Sequence, residues 1–238
     1  MNALDIILWI VLPYLSIVIL IAGLIWRYRT DQFGWTSRSS QIYERRILRW
    51  SSPLFHIGML FVFIGHLMGL AIPESWTSAI GISEYAYHLI ATIPGTIAAL
   101  MVIVGLAGLI WRRIVNKSVR LATSPMDKVM YVLLSIPILL GGAATVIHQI
   151  FGGGYDYRQT ISPWFRSIAL LHPDPQLMLS VPLVYQLHII AGMLLLCLWP
   201  FTRLVHVVSA PVGYVSRPHV VYRSRRPATS TTPRRRGW

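Results

Sequence analysis

SSPLFHIGMLFVFIGHLMG (residues 51–69) and YQLHIIAGMLLLCLWPFTRLVH (residues 185–206) decide how this chain is read. Both runs are apolar and long enough to cross a bilayer. Each carries two histidines: His56 and His66 in the first, His188 and His206 in the second. An imidazole in hydrocarbon is costly unless its nitrogens are satisfied, so an intramembrane histidine is a functional candidate by default. Two helices that each carry two inward histidines can clamp two metal centres, one above the other. That is the layout of a membrane cytochrome with two stacked b-type haems.

The composition agrees with a membrane protein. Of 238 residues, 55% are hydrophobic and 12% charged, and the mean hydropathy is +0.58, which is not the profile of a soluble domain. The single cysteine, Cys197, excludes a disulfide framework, a four-thiolate zinc site and an iron–sulfur cluster held by this chain alone. No Cys-x-x-Cys-His attachment motif for covalent haem occurs, so a redox cofactor has to be held by histidine. The opening MNALDIILWIV lacks a basic n-region and is expected to be a first transmembrane helix, not a cleaved signal.

Apolar runs near residues 6–26, 52–72, 87–111, 129–151 and 181–207 predict an all-α, polytopic bundle of five transmembrane helices. The net charge of +13 invites a nucleic-acid reading, but the placement of the charges argues against it. All 21 basic residues except Arg158 and Arg166 lie in 27–49, 112–128 and 203–236, after the first, third and fifth spans. This positive-inside pattern puts the N-terminus outside and the C-terminus in the cytoplasm. Residues 1–222 are expected to form the membrane domain, and the basic tail 223–238 has the composition of a disordered segment. Pro200 is expected to bend the fifth helix just before His206.

Antiparallel helices two and five pair His56 with His206 on the cytoplasmic side and His66 with His188 in the outer half. At 1.5 Å per residue, the histidines differ in depth by about 15 Å on helix two and about 27 Å on helix five. Each pair can supply both axial nitrogens of one iron, a closed arrangement suited to electron transfer. The bland alternative is a set of polar membrane residues hydrogen-bonded to neighbouring backbone. Gly58, Gly65, Gly69 and Gly192 offer bare helix surface near these histidines, either for a flat macrocycle or for close helix packing. Arg203, one turn before His206, is a candidate for a haem propionate, or a snorkelling interfacial arginine. His88, His148, His172 and His219 read as interface or loop residues, with His88 the one to watch.

SPLFHIGMLFVFIGH, QLHIIAGMLLLCLWPFTRLVHVVSAPVGYVSR and the loop FGWTSRSSQIYERR resemble the gamma subunit of membrane-bound respiratory nitrate reductase, a di-haem cytochrome b. The likeness runs from about residue 14 to residue 217. In that family the haem ligands fall on His56, His66, His188 and His206. The resemblance also implies a catalytic alpha subunit with molybdenum cofactor and a beta subunit with iron–sulfur clusters on the cytoplasmic side, working in anaerobic respiration. One departure stands out: where the family carries a lysine in its quinol site, this chain has Ala86 in GISEYAYHLIA.

The function expected is quinol oxidation near the outer haem, with electrons passed through the inner haem to the iron–sulfur partner at the cytoplasmic face of the cell membrane. Loops 27–49 and the segment after His206 are expected to dock that partner. With Ala86 in the lysine's place, His88 and Tyr85 are the candidate quinol contacts, His88 as the closest titratable side chain. Two rivals remain. One is a di-haem anchor serving a heterodisulfide- or sulfite-reductase-like partner. The other is a non-redox transporter or assembly factor with zinc-binding histidines, which predicts no visible absorption.

Overall fold

The computed structural model describes residues 2–31, 34–35 and 39–209. The expectations for the tail 223–238, and for His219, lie outside the described residues. Five helices are long and apolar enough to cross a membrane: α1 (Ala3–Thr30), α2 (Leu48–Ala71), α3 (Glu84–Val115), α4 (Pro125–Ile150) and α5 (Leu183–Phe201). Among the described residues none is in a strand. The chain is a multi-pass membrane helical bundle.

The helices start where the sequence supplies caps. The Asn2 side chain accepts from the Asp5 amide, and Ser124 and Asp127 form a reciprocal capping box at the head of α4. Ser83 caps α3 by accepting from Ala86 N–H. α3 is longer at both ends than the apolar run 87–111 predicts, because its polar cap and the last-turn Arg112 and Arg113 extend it past the hydrocarbon.

Packing runs in the order α2, α3, α4, α5, α1. α2 lies along α3, α3 touches α4, and α5 lies along α4 and α1, while α2 and α5 make little direct contact. Small residues allow the close approaches: a Cβ at Gly105 would stand 2.5 Å from the Phe55 amide nitrogen, and one at Gly58 would stand 2.9 Å from Met101 Cβ. Gly58 is therefore a packing glycine and not bare surface for a macrocycle.

The connection 152–180, expected outside, is a built cap. Its helix Ile161–Ala169 buries Trp164 against Trp9 at 5.7 Å, edge to face. Pro13 removes the amide that lies four residues on from the Trp9 carbonyl, and the Trp164 indole donates to that carbonyl at 3.0 Å. Ser162 Oγ and Arg166 Nη1 donate to the carbonyls of Gly69 and Leu70 at the end of α2.

The fifth span departs from a continuous helix over 181–207. α-Helical geometry ends at Leu198, a 3-10 turn covers Trp199–Phe201, Thr202 is extended, and a second 3-10 turn covers Arg203–Val207. Pro200 ends the α-helix here instead of only bending it, since its ring leaves no amide to continue the ladder. The break has a geometric consequence. Eighteen residues of unbroken helix rise about 27 Å, against about 15 Å for the ten residues on α2. By interrupting that rise, the break lets both histidine pairs meet.

Candidate histidine sites between α2 and α5

The four histidines come together in the pairs the sequence predicts. The rings of His66 and His188 are 5.9 Å apart between centroids, and those of His56 and His206 are 6.1 Å apart. They face each other across the gap where α2 and α5 do not pack. Metal–imidazole bonds run near 2.0–2.1 Å, so two rings on opposite sides of one metal have centres about 6 Å apart.

Each ring is oriented through Nδ1. His56 donates to Ser52 O at 2.7 Å and His66 to Val62 O at 2.8 Å, both on their own helix. His188 reaches across to Pro137 O on α4 at 2.8 Å, and His206 bonds Arg203 O at 2.6 Å. A ring whose Nδ1–H is donated to a carbonyl keeps its lone pair on Nε2, the tautomer and orientation a metal ligand needs.

The donor set favours a macrocycle over a bare ion. Among the described residues no three His, Cys, Asp or Glu side chains gather as a metal site. Two nitrogens are too few for zinc, which takes four ligands or three plus water. A haem would ask the protein for two nitrogens, which each histidine pair could supply. Gly65 and Gly192 fit that demand, because a Cβ at either would meet nothing within 4 Å. Gly69 does not, because its Cβ would stand 3.1 Å from the Tyr157 hydroxyl.

Supporting residues that the sequence did not reveal hold each pair. Behind His188, a Cβ at Gly141 would lie 2.9 Å from the ring's Cε1, so only glycine lets the imidazole lie against α4 and reach Pro137. At the inner pair, Arg27 Nη1 on α1 donates to Pro200 O at 2.7 Å and Thr202 O at 2.9 Å, satisfying carbonyls that the helix break leaves over. Gly23, one turn earlier, lets α1 approach the Pro200 ring. Both residues look like ordinary members of an apolar run and its basic flank. Their role depends on a break in another helix, which no local pattern encodes.

Arg203 stands in an ion pair with the buried Asp127, Nε to Oδ1 at 2.5 Å. Arg112, read from the sequence as one more cytoplasmic charge, is wholly buried. It holds the loop before α2 through Glu44 Oε2 at 2.6 Å, Glu44 O at 2.7 Å, and Ser40 Oγ and O at 2.8 Å each. Burial pushes the Glu44 carboxyl up, but the amides of Ile47 and Leu48 and the Arg112 guanidinium outweigh it and hold Glu44 below its ordinary value.

At the outer end the candidate quinol contacts separate. Tyr85 is 74% exposed. The His88 ring lies against Gly154 and lines a mostly apolar groove with Thr92, Thr96 and Gln149. The inward residue of this stretch is Tyr87, whose hydroxyl is 3.4 Å from that of Tyr157. Burial, and next the bond to Tyr87, push the Tyr157 hydroxyl well above the usual tyrosine range, so it stays protonated. Gln149 Nε2 donates to Tyr155 O and to the Tyr185 hydroxyl, both at 2.8 Å, one turn before His188.

Comparison with known proteins bears on these features together. The family profile described as nitrate reductase gamma subunit matches residues 5–225. The nitrate reductase gamma chain of Bacillus subtilis (strain 168) is 47% identical over 219 residues, covering 92% of this chain and 98% of that one. The respiratory nitrate reductase 2 gamma chain of Escherichia coli (strain K12) is 36% identical over 215 residues, 90% of this chain and 94% of that one. The nitrate reductase-like protein NarX of Mycobacterium tuberculosis (strain ATCC 25618 / H37Rv) is 51% identical over 97% of this chain, which spans only 35% of that longer protein. A five-helix membrane bundle, two facing histidine pairs and this likeness along nearly the whole sequence lead to one conclusion: the chain belongs to the nitrate reductase gamma subunit family.

Proposed function

We propose that this chain is the quinol-oxidising, electron-conducting membrane subunit of a respiratory nitrate reductase, holding one haem b between His66 and His188 and a second between His56 and His206. The observation that carries this reading is the pair of ring separations near 6 Å with all four Nδ1 atoms tied to carbonyls. Haem held by these four histidines would supply one-electron redox chemistry. The chain's part is to fix the rings through Ser52, Val62, Pro137 and Arg203, and to keep α2 and α5 apart by the width of the site.

The distribution of basic loops supports a reading with the N-terminus outside and the His56–His206 pair at the cytoplasmic face of the cell membrane. Quinol docks at the outer face, beside His66 and the start of α3, and its protons leave on that side. Each charge moved inward across the membrane is then worth about 2.3 kcal/mol per 100 mV. Nitrate is reduced on a molybdenum-containing alpha subunit, reached through an iron–sulfur beta subunit that docks on the cytoplasmic loops. A reduced quinol analogue added to the purified chain in liposomes should produce a reduced b-type spectrum, abolished by a competing inhibitor. A chain that binds haem but is reduced only by dithionite would overturn the quinol assignment.

A further inference from the structure

Arg158 breaks the charge pattern of this chain: with Arg166 it is one of two basic residues outside the cytoplasmic clusters. Its side chain is 3% exposed. Nη2 donates to Thr77 Oγ1 at 2.9 Å and lies 3.6 Å from Glu84 Oε1, and the guanidinium stacks 3.8 Å from the centre of the Tyr87 ring. Nε and Nη1 are buried and have no hydrogen-bond partner among the described residues. Buried donors of a fixed cation are expensive to leave unanswered, and such a group calls for an acceptor from outside the polypeptide.

The position of Arg158 says which acceptor. Tyr157, its chain neighbour, packs on Gly69, one helical turn outward from His66, and joins its hydroxyl to that of Tyr87. The cation therefore sits near the end of α2, held by Thr77, Glu84 and Tyr87 and one residue on from the tyrosine that packs a turn beyond His66, in a chain whose lysine-free GISEYAYHLIA segment offers no cationic side chain of its own but His88. We propose that Arg158 is the outer cationic anchor of this site, donating from Nε and Nη1 to an acceptor oxygen of the group bound there. That chemistry has two sources, a haem propionate or the oxygen of a docked quinol, and a guanidinium suits either.

The proposal rests on the di-haem, quinol-oxidising reading, and the test separates the two. The chain is compared with Arg158→Gln and Arg158→Lys after haem content has been measured in each. If the partner is a propionate, Arg158→Gln lowers the midpoint potential of the outer haem, because the oxidised iron loses a repelling charge, while the inner haem is unmoved and Arg158→Lys restores most of the shift. If the partner is the quinol, both potentials stay in place and KM for a quinol analogue rises about tenfold with kcat little changed. Full haem content with unchanged potentials and unchanged KM would overturn the proposal and leave Arg158 a pin for the outer loop with water on its free donors. Should Arg158→Gln not assemble, redox-difference infrared spectra of the unaltered chain with labelled guanidinium decide. Label-dependent bands that follow outer-haem reduction or quinol binding support the anchor, and their absence overturns it. A wild-type chain without haem bands, by contrast, sinks the underlying reading and not Arg158 alone.

Discussion

The outer and inner histidine pairs have nearly the same ring separation, 5.9 and 6.1 Å, and are held by different physics. The outer pair sits on continuous helices and depends on shape. His188 crosses to a neighbouring helix through the space that Gly141 leaves open, under a cap of aromatic residues. The inner pair has His206 beyond the helix break and depends on charge. His206 lies in a 3-10 turn whose preceding carbonyls are tied down by Arg27 and whose Arg203 is paired with Asp127. Shape is cheap where both partners lie inside hydrocarbon. Where the helix is broken, an irregular backbone needs polar partners, because its freed carbonyls are otherwise unsatisfied.

Substitutions that spare one pair and damage the other sharpen this contrast. The largest effect expected is at the ligands: His66→Ala or His188→Ala should remove the outer haem alone, and His56→Ala or His206→Ala the inner one alone, read as halved haem content. Next is Asp127→Asn, which removes the carboxylate from Arg203. A loss of roughly 2–4 kcal/mol is expected, less than for a fully buried pair because Arg203 keeps some water contact. It should appear as inner-haem loss on mild heating in detergent. Gly141→Ala should act on the other side only, costing about 1–3 kcal/mol as the His188 ring is pushed from Pro137. Equal damage to both haems from either substitution would contradict the separation of shape and charge.

The smallest effect is one of pH. Glu44 has a folded-state pKa below its ordinary value, so its bond to Arg112 contributes stability at neutral pH. That contribution is lost as pH falls through the folded value. Thermal midpoints of the chain and of Glu44→Gln should therefore converge on acidification, and a gap that stays constant from neutral pH to well below the ordinary carboxylate range would remove Glu44 from the account.

How much of this was legible in the sequence follows the same division. The five spans and the histidine pairing were readable, because apolar length and position along antiparallel helices fix depth. The end of α-helix at Pro200 was only half readable. A proline announces a disturbance, but whether the chain bends or changes helix type depends on Arg27 and Gly23, which lie more than 170 residues away. Arg112 looked like a solvated cytoplasmic charge because positive-inside counting cannot tell an arginine in water from one that binds Ser40 and Glu44. Gly65 and Gly58 look alike in sequence, and only packing shows that one faces open space and the other α3.

The central claim, two haems each held by one histidine from α2 and one from α5, meets its most direct test in the reduced-minus-oxidised visible spectrum of the purified chain with haem quantified per polypeptide. The account predicts two b-type haems with separable bands. A chain that lacks visible bands, or that binds a single haem lost only when histidines of both pairs are replaced, would contradict it.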